Sequence, residues 1–201
     1  MRINRSLIAS CLLFTVSVPV MAAAVKKVPA APVNKHTDAV SSSAAKIASW
    51  NISGALAAKS HGKGWSASMN WTQRGQGNYQ IRLSGPFGGG ALLITKNGGL
   101  ITLREGSKSV SSSNASTLMK QQTGVSLPVT SLYYWVRGIP APGAVSSMKR
   151  DQYGRLMVLH QSGYTIEYNQ YTAAGKAVLP SHIKLQGNGV FMKLVIRTWQ
   201  I

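Results

Sequence analysis

From Ile47 onward the chain alternates apolar and polar residues with a period of two, and this alternation constrains the fold more than any other feature. Trp50, Ile52 and Leu56 share one parity, as do Trp65, Ala67, Met69 and Trp71, and then Tyr79, Ile81 and Leu83. A period of two sends successive side chains to opposite faces, so these segments read as strands with one face buried. Between them stand His61-Gly62-Lys63-Gly64, Gly75-Gln76-Gly77-Asn78 and Asn97-Gly98-Gly99. Turns this short join only neighbouring antiparallel strands. Ala91–Thr95 and Leu100–Arg104 extend the meander. Strands resume at Leu156–Gln161, Tyr164–Tyr171, His182–Gln186 and Phe191–Trp199.

The middle of the chain breaks this pattern. Asn114 is a capping residue, helix formers follow it, and Gly124 supplies a stop. Pro128 then precedes Val129–Arg137, where Leu132, Trp135 and Val136 fall at helical spacing before Gly138-Ile139-Pro140. Two short central helices are therefore expected. An antiparallel sheet of about 10–11 strands curls rather than staying flat. The expected fold is mainly β with helices (α+β): a curled, unclosed antiparallel β-barrel with a helical lid over a hydrophobic cavity. Cavities of that kind take small apolar ligands.

The chain begins Met1-Arg2-Ile3-Asn4-Arg5, continues through an apolar run from Leu7 to Val20, and reaches Ala22-Ala23-Ala24. This is the layout of a secretory signal peptide over residues 1–23. Residues 24–46, rich in alanine, proline and serine, read as a flexible leader ending in a weak helical turn. The folded domain is expected over 47–201. The single cysteine, Cys11, has two readings. Ile8-Ala9-Ser10-Cys11 looks like the box at which bacterial lipoproteins are acylated, yet Leu12 to Val20 continue the apolar run as an ordinary signal core would. The first reading gives a lipid-anchored protein, the second a soluble periplasmic one without a cysteine.

Charge and composition exclude most chemistry. Lys and Arg number 22 against 4 Asp and Glu, a net charge of +18. So few acids leave no suggestive carboxylate pair for acid–base catalysis. His36, His61, His160 and His182 have no metal-ligand spacing, no serine sits in a nucleophile elbow, and Gly88-Gly89-Gly90 lacks the lysine of a phosphate loop. No enzyme, metal or cofactor is expected. The positive charge favours polyanions, but it is dispersed along strands, and export argues against nucleic acid. Phe87, within Gly85-Pro86-Phe87-Gly88, lies where glycine and proline demand a surface bend. Its ring either folds back onto the core or meets an external apolar target.

Several motifs resemble the LolB family in order and spacing. They are Trp71-Thr72-Gln73, Tyr79, Gly85-Pro86-Phe87-Gly88, Gly124-Val125-Ser126-Leu127-Pro128-Val129, Leu132, Trp135, Gly138 and Pro140. Gln161-Ser162-Gly163-Tyr164, Tyr168 and Tyr171, Leu179-Pro180 and Trp199 follow. The resemblance runs from about Ile47 to Trp199. It implies a receptor at the periplasmic face of the outer membrane that accepts lipoproteins from a LolA-like periplasmic carrier and inserts them into the outer membrane. It implies no cofactor and no bond-breaking, a cavity for lipoprotein acyl chains, and a membrane-inserting loop at Gly85, Pro86, Phe87 and Gly88 with Phe87 at its tip. The residues expected to line that cavity are Ile52, Leu56, Met69, Trp71, Ile81, Leu83, Leu118, Leu132, Trp135 and Tyr168. The implied partners are lipoprotein acyl chains, the carrier and the inner leaflet of the outer membrane, met by a monomer. Two alternatives stay open on the residues alone: a soluble periplasmic carrier of a lipid or other hydrophobic ligand, and an envelope protein whose basic face binds an anionic polymer.

Overall fold

The structure, a computed structural model, describes residues 43–60, 62–85, 90–115, 117–118, 121 and 129–201. The signal segment with Cys11, most of the leader, and Pro86, Phe87 and Gly88 lie outside the described residues. The strands are β1 (Ser49–Ser60), β2 (Lys63–Arg74), β3 (Asn78–Ser84), β4 (Ala91–Asn97), β5 (Leu100–Glu105) and β6 (Lys108–Ser112), then β7 (Val145–Arg150), β8 (Leu156–Gln161), β9 (Tyr164–Ala174), β10 (Ala177–Gly187) and β11 (Val190–Gln200). They form one 11-stranded sheet in the order β6-β5-β4-β3-β2-β1-β11-β10-β9-β8-β7. Every neighbouring pair is antiparallel. Strands β6 and β7 are free edges, so the sheet is not closed.

The alternation read from sequence sets which face is buried. On β1 the buried residues are Trp50, Ile52, Leu56 and Ala58, and on β11 they are Val190, Met192, Leu194 and Ile196. The order of strands puts β1 beside β11, which joins the two ends of the domain at the centre of the sheet. That pairing slips by one residue between Ser53 and Gly54. A β-carbon added to Gly54 would collide with the Val195 carbonyl oxygen, so only glycine allows the two backbones to approach this closely. Bulges raise local twist and help a sheet bend.

Helix α1 (Val129–Trp135) lies against the concave face and shares one core with the strands. The predicted first helix is seen in part. Ala115, Thr117, Leu118 and Gln121 are helical, and the Asn114 side chain accepts the Thr117 N–H at 3.0 Å. Three elements differ from expectation. Strands β6 and β7 carry no apolar alternation, because as edge strands they are exposed on both faces. The helical turn at 43–46, assigned to the leader, is packed: Ala44 is buried against Ile139 and Leu179.

Candidate functional site

A hollow of about 80 Å³ lies between the concave face and α1. Its walls come from Leu56 on β1, Trp65, Met69 and Trp71 on β2, Ile81 and Leu83 on β3, and Leu92 and Ile94 on β4. On the other side stand Ile166 of β9, Ile183 and Leu185 of β10, and Met192 and Leu194 of β11. The roof is Val129, Leu132, Trp135 and Val136. Strands β4 and β9 stand six neighbours apart in the sheet, about 29 Å on a flat sheet at roughly 4.8 Å per spacing. Both line a hollow only 80 Å³ in volume. The sheet must therefore curl around it.

Of the expected cavity residues, Leu56, Met69, Trp71, Ile81, Leu83, Leu132 and Trp135 stand on this wall. Ile52, Leu118 and Tyr168 are buried elsewhere in the core. Ile52 lies across the β1 bulge, opposite Trp199. Tyr168 is turned to the helix backbone, its hydroxyl donating to the Trp135 carbonyl at 3.0 Å. The expected set left out Trp65, Leu92, Ile94, Val129, Val136, Ile166, Ile183, Leu185, Met192 and Leu194. Parity marks the strand residues among them as inward, but nothing local says that β11 pairs with β1 and so brings β10 and β9 to the same wall.

Every wall side chain is apolar except for the indole N–H groups of three tryptophans; those of Trp71 and Trp135 are tied off behind the wall, and Trp65 stands partly exposed at one end. The Trp71 N–H donates to the Gln73 side-chain oxygen at 2.8 Å, and Gln73 donates on to the Gly75 carbonyl at 2.6 Å. The Trp135 N–H donates to the Gln161 side-chain oxygen at 2.8 Å. That oxygen also accepts the Ala141 N–H at 2.9 Å, and the Gln161 amide donates to the Ala141 carbonyl at 2.7 Å. Both glutamines are buried. Hydrogen-bonded this way, the indoles present only hydrocarbon to the hollow. Gln161→Leu would leave the Trp135 N–H and both Ala141 backbone groups unpaired. It should lower stability by about 2–4 kcal/mol in urea unfolding, because each buried unsatisfied group costs on the order of 1–3 kcal/mol.

One end of the hollow is sealed by aromatics. Trp50 stacks on Tyr133 with centroids 5.1 Å apart and meets Trp71 and Trp199 edgewise or tilted. Its indole N–H is the one buried side-chain donor without a hydrogen-bond partner among the described residues. Arg137, buried behind them, sits over the Tyr133 ring at 4.1 Å. Burial pushes the Tyr79 hydroxyl up to about 12 and holds Tyr168 well above the ordinary tyrosine value. An unfolded tyrosine ionises near pH 10, so the folded chain keeps protons there that the unfolded chain releases. Stability should fall as pH rises above 10, and an alkaline denaturation series checks this.

The opposite end is the mouth. Strands β2 and β3 pair as far as Ser68 and Ser84. Strand β2 continues beyond that rung through Lys63–Ala67, about 17 Å of strand. Trp65 lies on this overhang, at once on the wall and 38% exposed. The loop joining β3 to β4 leaves the same end, its base closed by the Gly85 N–H on the Gly90 carbonyl at 3.2 Å. Leu83 and Leu92, the last inward residues before that loop, are both wall residues.

No reactive constellation accompanies the hollow. Among the described residues no three His, Cys, Asp or Glu side chains stand close enough to hold a metal ion. Asp151 is held by Arg155 at 2.6 Å, and Glu167 by Lys184 at 3.0 Å. His160 meets Thr165 and His182 meets Ser181.

Comparison with known proteins agrees with this geometry. The family profile of outer membrane lipoprotein LolB matches residues 48–199. A protein named outer-membrane lipoprotein LolB from Coxiella burnetii is 38% identical over 156 residues, covering 77% of this chain and 73% of its own length. Its namesake from Pseudomonas aeruginosa strain PAO1 is 37% identical over 156 residues, covering 77% and 76%. Among solved structures, a LolA superfamily protein from Nitrosomonas europaea superposes with a TM-score of 0.54 at 10% identity, covering 82% of this chain and 93% of that one. A putative outer membrane lipoprotein-sorting protein domain from Vibrio parahaemolyticus gives 0.51 at 8% identity, covering 82% and 90%. At such identities the two structures show a shared fold.

Proposed function

The chain belongs to the family of the outer-membrane lipoprotein LolB, and we propose that it receives lipoproteins at the periplasmic face of the outer membrane by taking their acyl chains into the hollow. The observation that carries this reading is a wall of hydrocarbon in which the indole N–H groups of Trp71 and Trp135 are hydrogen-bonded behind it. Such a surface suits a fatty chain and offers no group that attacks or protonates one. The chain passes from a periplasmic carrier of the LolA type to this hollow and then to the bilayer. No bond is made or broken. A preference of about 1.4 kcal/mol at each step favours the receiver tenfold.

The resting hollow is too small for its cargo. It holds about 80 Å³. On the scale of that volume one water takes about 10–15 Å³, so the roughly dozen or more methylenes of a fatty acyl chain need about 120–180 Å³ or more. Uptake therefore requires α1 to move outward. Its C-terminal side is fastened through Gln161 to Ala141 and through the Arg137 guanidinium to the backbone of 44–47. The end carrying Val129 and Leu132 is the one that gives way.

Delivery is the role of the loop between β3 and β4. Its base is fixed beside the mouth, and we assign its tip, Phe87, to the bilayer. Phe87→Glu should leave acyl-chain uptake within about twofold of the unaltered protein while insertion of a lipoprotein into liposomes falls by about tenfold or more, since burying a phenylalanine is worth about 1.5–3 kcal/mol and the carboxylate opposes entry. Normal insertion by Phe87→Glu would remove the loop from the mechanism.

A further inference from the structure

The outer face of the sheet carries a charge pattern that the hollow does not use. Cross-strand register fixes which residues share that face. One row across it reads Lys149, Val158, Glu167, Lys184, Lys193, Ala57 and Ser66. Lys59, Arg82 and Arg104 point the same way, and Glu167 is the one acid at a described outward strand position.

The densest part is at the mouth end of β1, β10 and β11. Lys193 lies directly across from Lys184. Lys59 lies directly across from Phe191, two residues before Lys193 on the same strand. The Lys193 ammonium stands 5.6 Å from the Phe191 ring centre. Glu167 is taken up by Lys184, which it meets at 3.0 and 3.2 Å. Like charges directly opposite on adjacent strands destabilise a sheet. Folding gains nothing from facing Lys193 with Lys184, or from adding Lys59 beside them with no further acid on that face.

We propose that Lys59, Lys184, Lys193 and Phe191 form a docking surface for the anionic headgroups of a bilayer. The Lys59 and Lys193 ammonium groups, with Lys184 held on Glu167 beside them, match a field of phosphates, and the half-buried Phe191 ring suits the headgroup level, where aromatic side chains collect. The position also fits. The patch lies at the mouth end of β1, β10 and β11, the end of the strands from which the loop joining β3 to β4 also leaves. Headgroup binding here holds the mouth against the membrane surface, so the patch orients the delivery proposed above. It rests on that reading for the orientation alone.

The test is vesicle flotation, with the protein purified from cells in the form in which it accumulates. Vesicles are phosphatidylcholine alone or phosphatidylcholine with phosphatidylglycerol. The unaltered protein is expected to float with the anionic vesicles alone and to be released by salt. K59Q/K193Q should lower anionic-vesicle partition by about thirtyfold, since a lysine near an anionic surface contributes about a factor of five. R74Q/K149Q removes as much charge from the outer face away from the patch and should change partition by less than about threefold. Equal losses in the two double variants would overturn the patch in favour of bulk charge. Release by glycerophosphoglycerol at an ionic strength where sodium chloride releases nothing would also overturn it, in favour of a free phosphate ligand. Normal flotation of K59Q/K193Q combined with slow acceptance from the carrier would overturn it in favour of an acidic protein surface. Uptake of a fluorescent fatty acid in vesicle-free solution should be unchanged in K59Q/K193Q. Absence of that uptake in the unaltered protein counts against the hollow and leaves the flotation result standing.

Discussion

Arg137→Met is expected to lower the unfolding free energy by about 3–5 kcal/mol. Arg137 is 2% exposed, and among the described residues none of its contacts is a carboxylate. Its guanidinium donates to the Tyr133 carbonyl at 3.0 Å, to Ile47 at 2.6 Å, and to Ala44 and Ala45 at 3.3 and 3.4 Å. The rings of Tyr133, Trp50 and Tyr134 surround it at 4.1, 5.2 and 5.5 Å. Burial pushes its pKa down, but arginine keeps its proton in proteins. A planar, five-donor cation is thus held by carbonyl dipoles and ring faces in place of an anion. Methionine fills the space but strands those carbonyls. Arg137→Lys keeps the charge, loses the fork, and should fall between. Urea unfolding monitored by tryptophan fluorescence reads all three. A loss under about 1 kcal/mol for Arg137→Met would mean that water satisfies the carbonyls, and that this junction does not hold α1 to the segment before β1.

The second large effect is expected at Leu132, a partly buried roof residue on the end of α1 that gives way during uptake. Leu132→Glu places a carboxylate against an acyl chain. An unpaired charge in apolar surroundings costs several kcal/mol unless it is neutralised or escapes to water. Equilibrium uptake of an acylated peptide should fall by about a hundredfold or more. The free protein should lose little stability, because the shifted helix end can carry the carboxylate to solvent. Leu132→Met keeps volume and polarity and should bind within about threefold. Full uptake by Leu132→Glu would show that the chains do not pass beneath α1.

The parts legible in the sequence are those where one residue speaks for its own environment. Trp50, Ile52 and Leu56 announce a half-buried strand by parity alone, and Asn97-Gly98-Gly99 announces its turn by backbone chemistry. Asn114 caps the first helix for the same local reason. Strand β6, Lys-Ser-Val-Ser-Ser, gave no such signal. An edge strand held by one neighbour and wet on both faces has no buried side to alternate with. Met148 on β7 lies directly across from the fully buried Leu159 yet is itself 52% exposed, so even correct parity there would have pointed to the wrong environment. The hollow was half legible. Met69, Trp71, Ile81 and Leu83 follow from the meander, whereas Met192 and Leu194 reach it only because β11 returns to pair with β1. That long-range pairing has no local code. Gln73 and Gln161 stood in the motifs that carry the family resemblance, but their burial had no local signal, since a buried glutamine looks like any exposed one until its indole partner is in place.

The methionine side chains offer the most direct measurement of the central claim. Met69 on β2 and Met192 on β11 stand on the wall of the hollow to either side of β1, and Met148 and Met157 lie on the exposed surface. With methyl-labelled methionine and a lipopeptide carrying a nitroxide on its acyl chain, paramagnetic broadening reports which methyl groups the chain approaches. The account predicts that the Met69 and Met192 resonances broaden first and most, while those of Met148 and Met157 stay sharp. Broadening at Met148 or Met157 with Met69 and Met192 unaffected would put the chain outside the hollow and contradict the account.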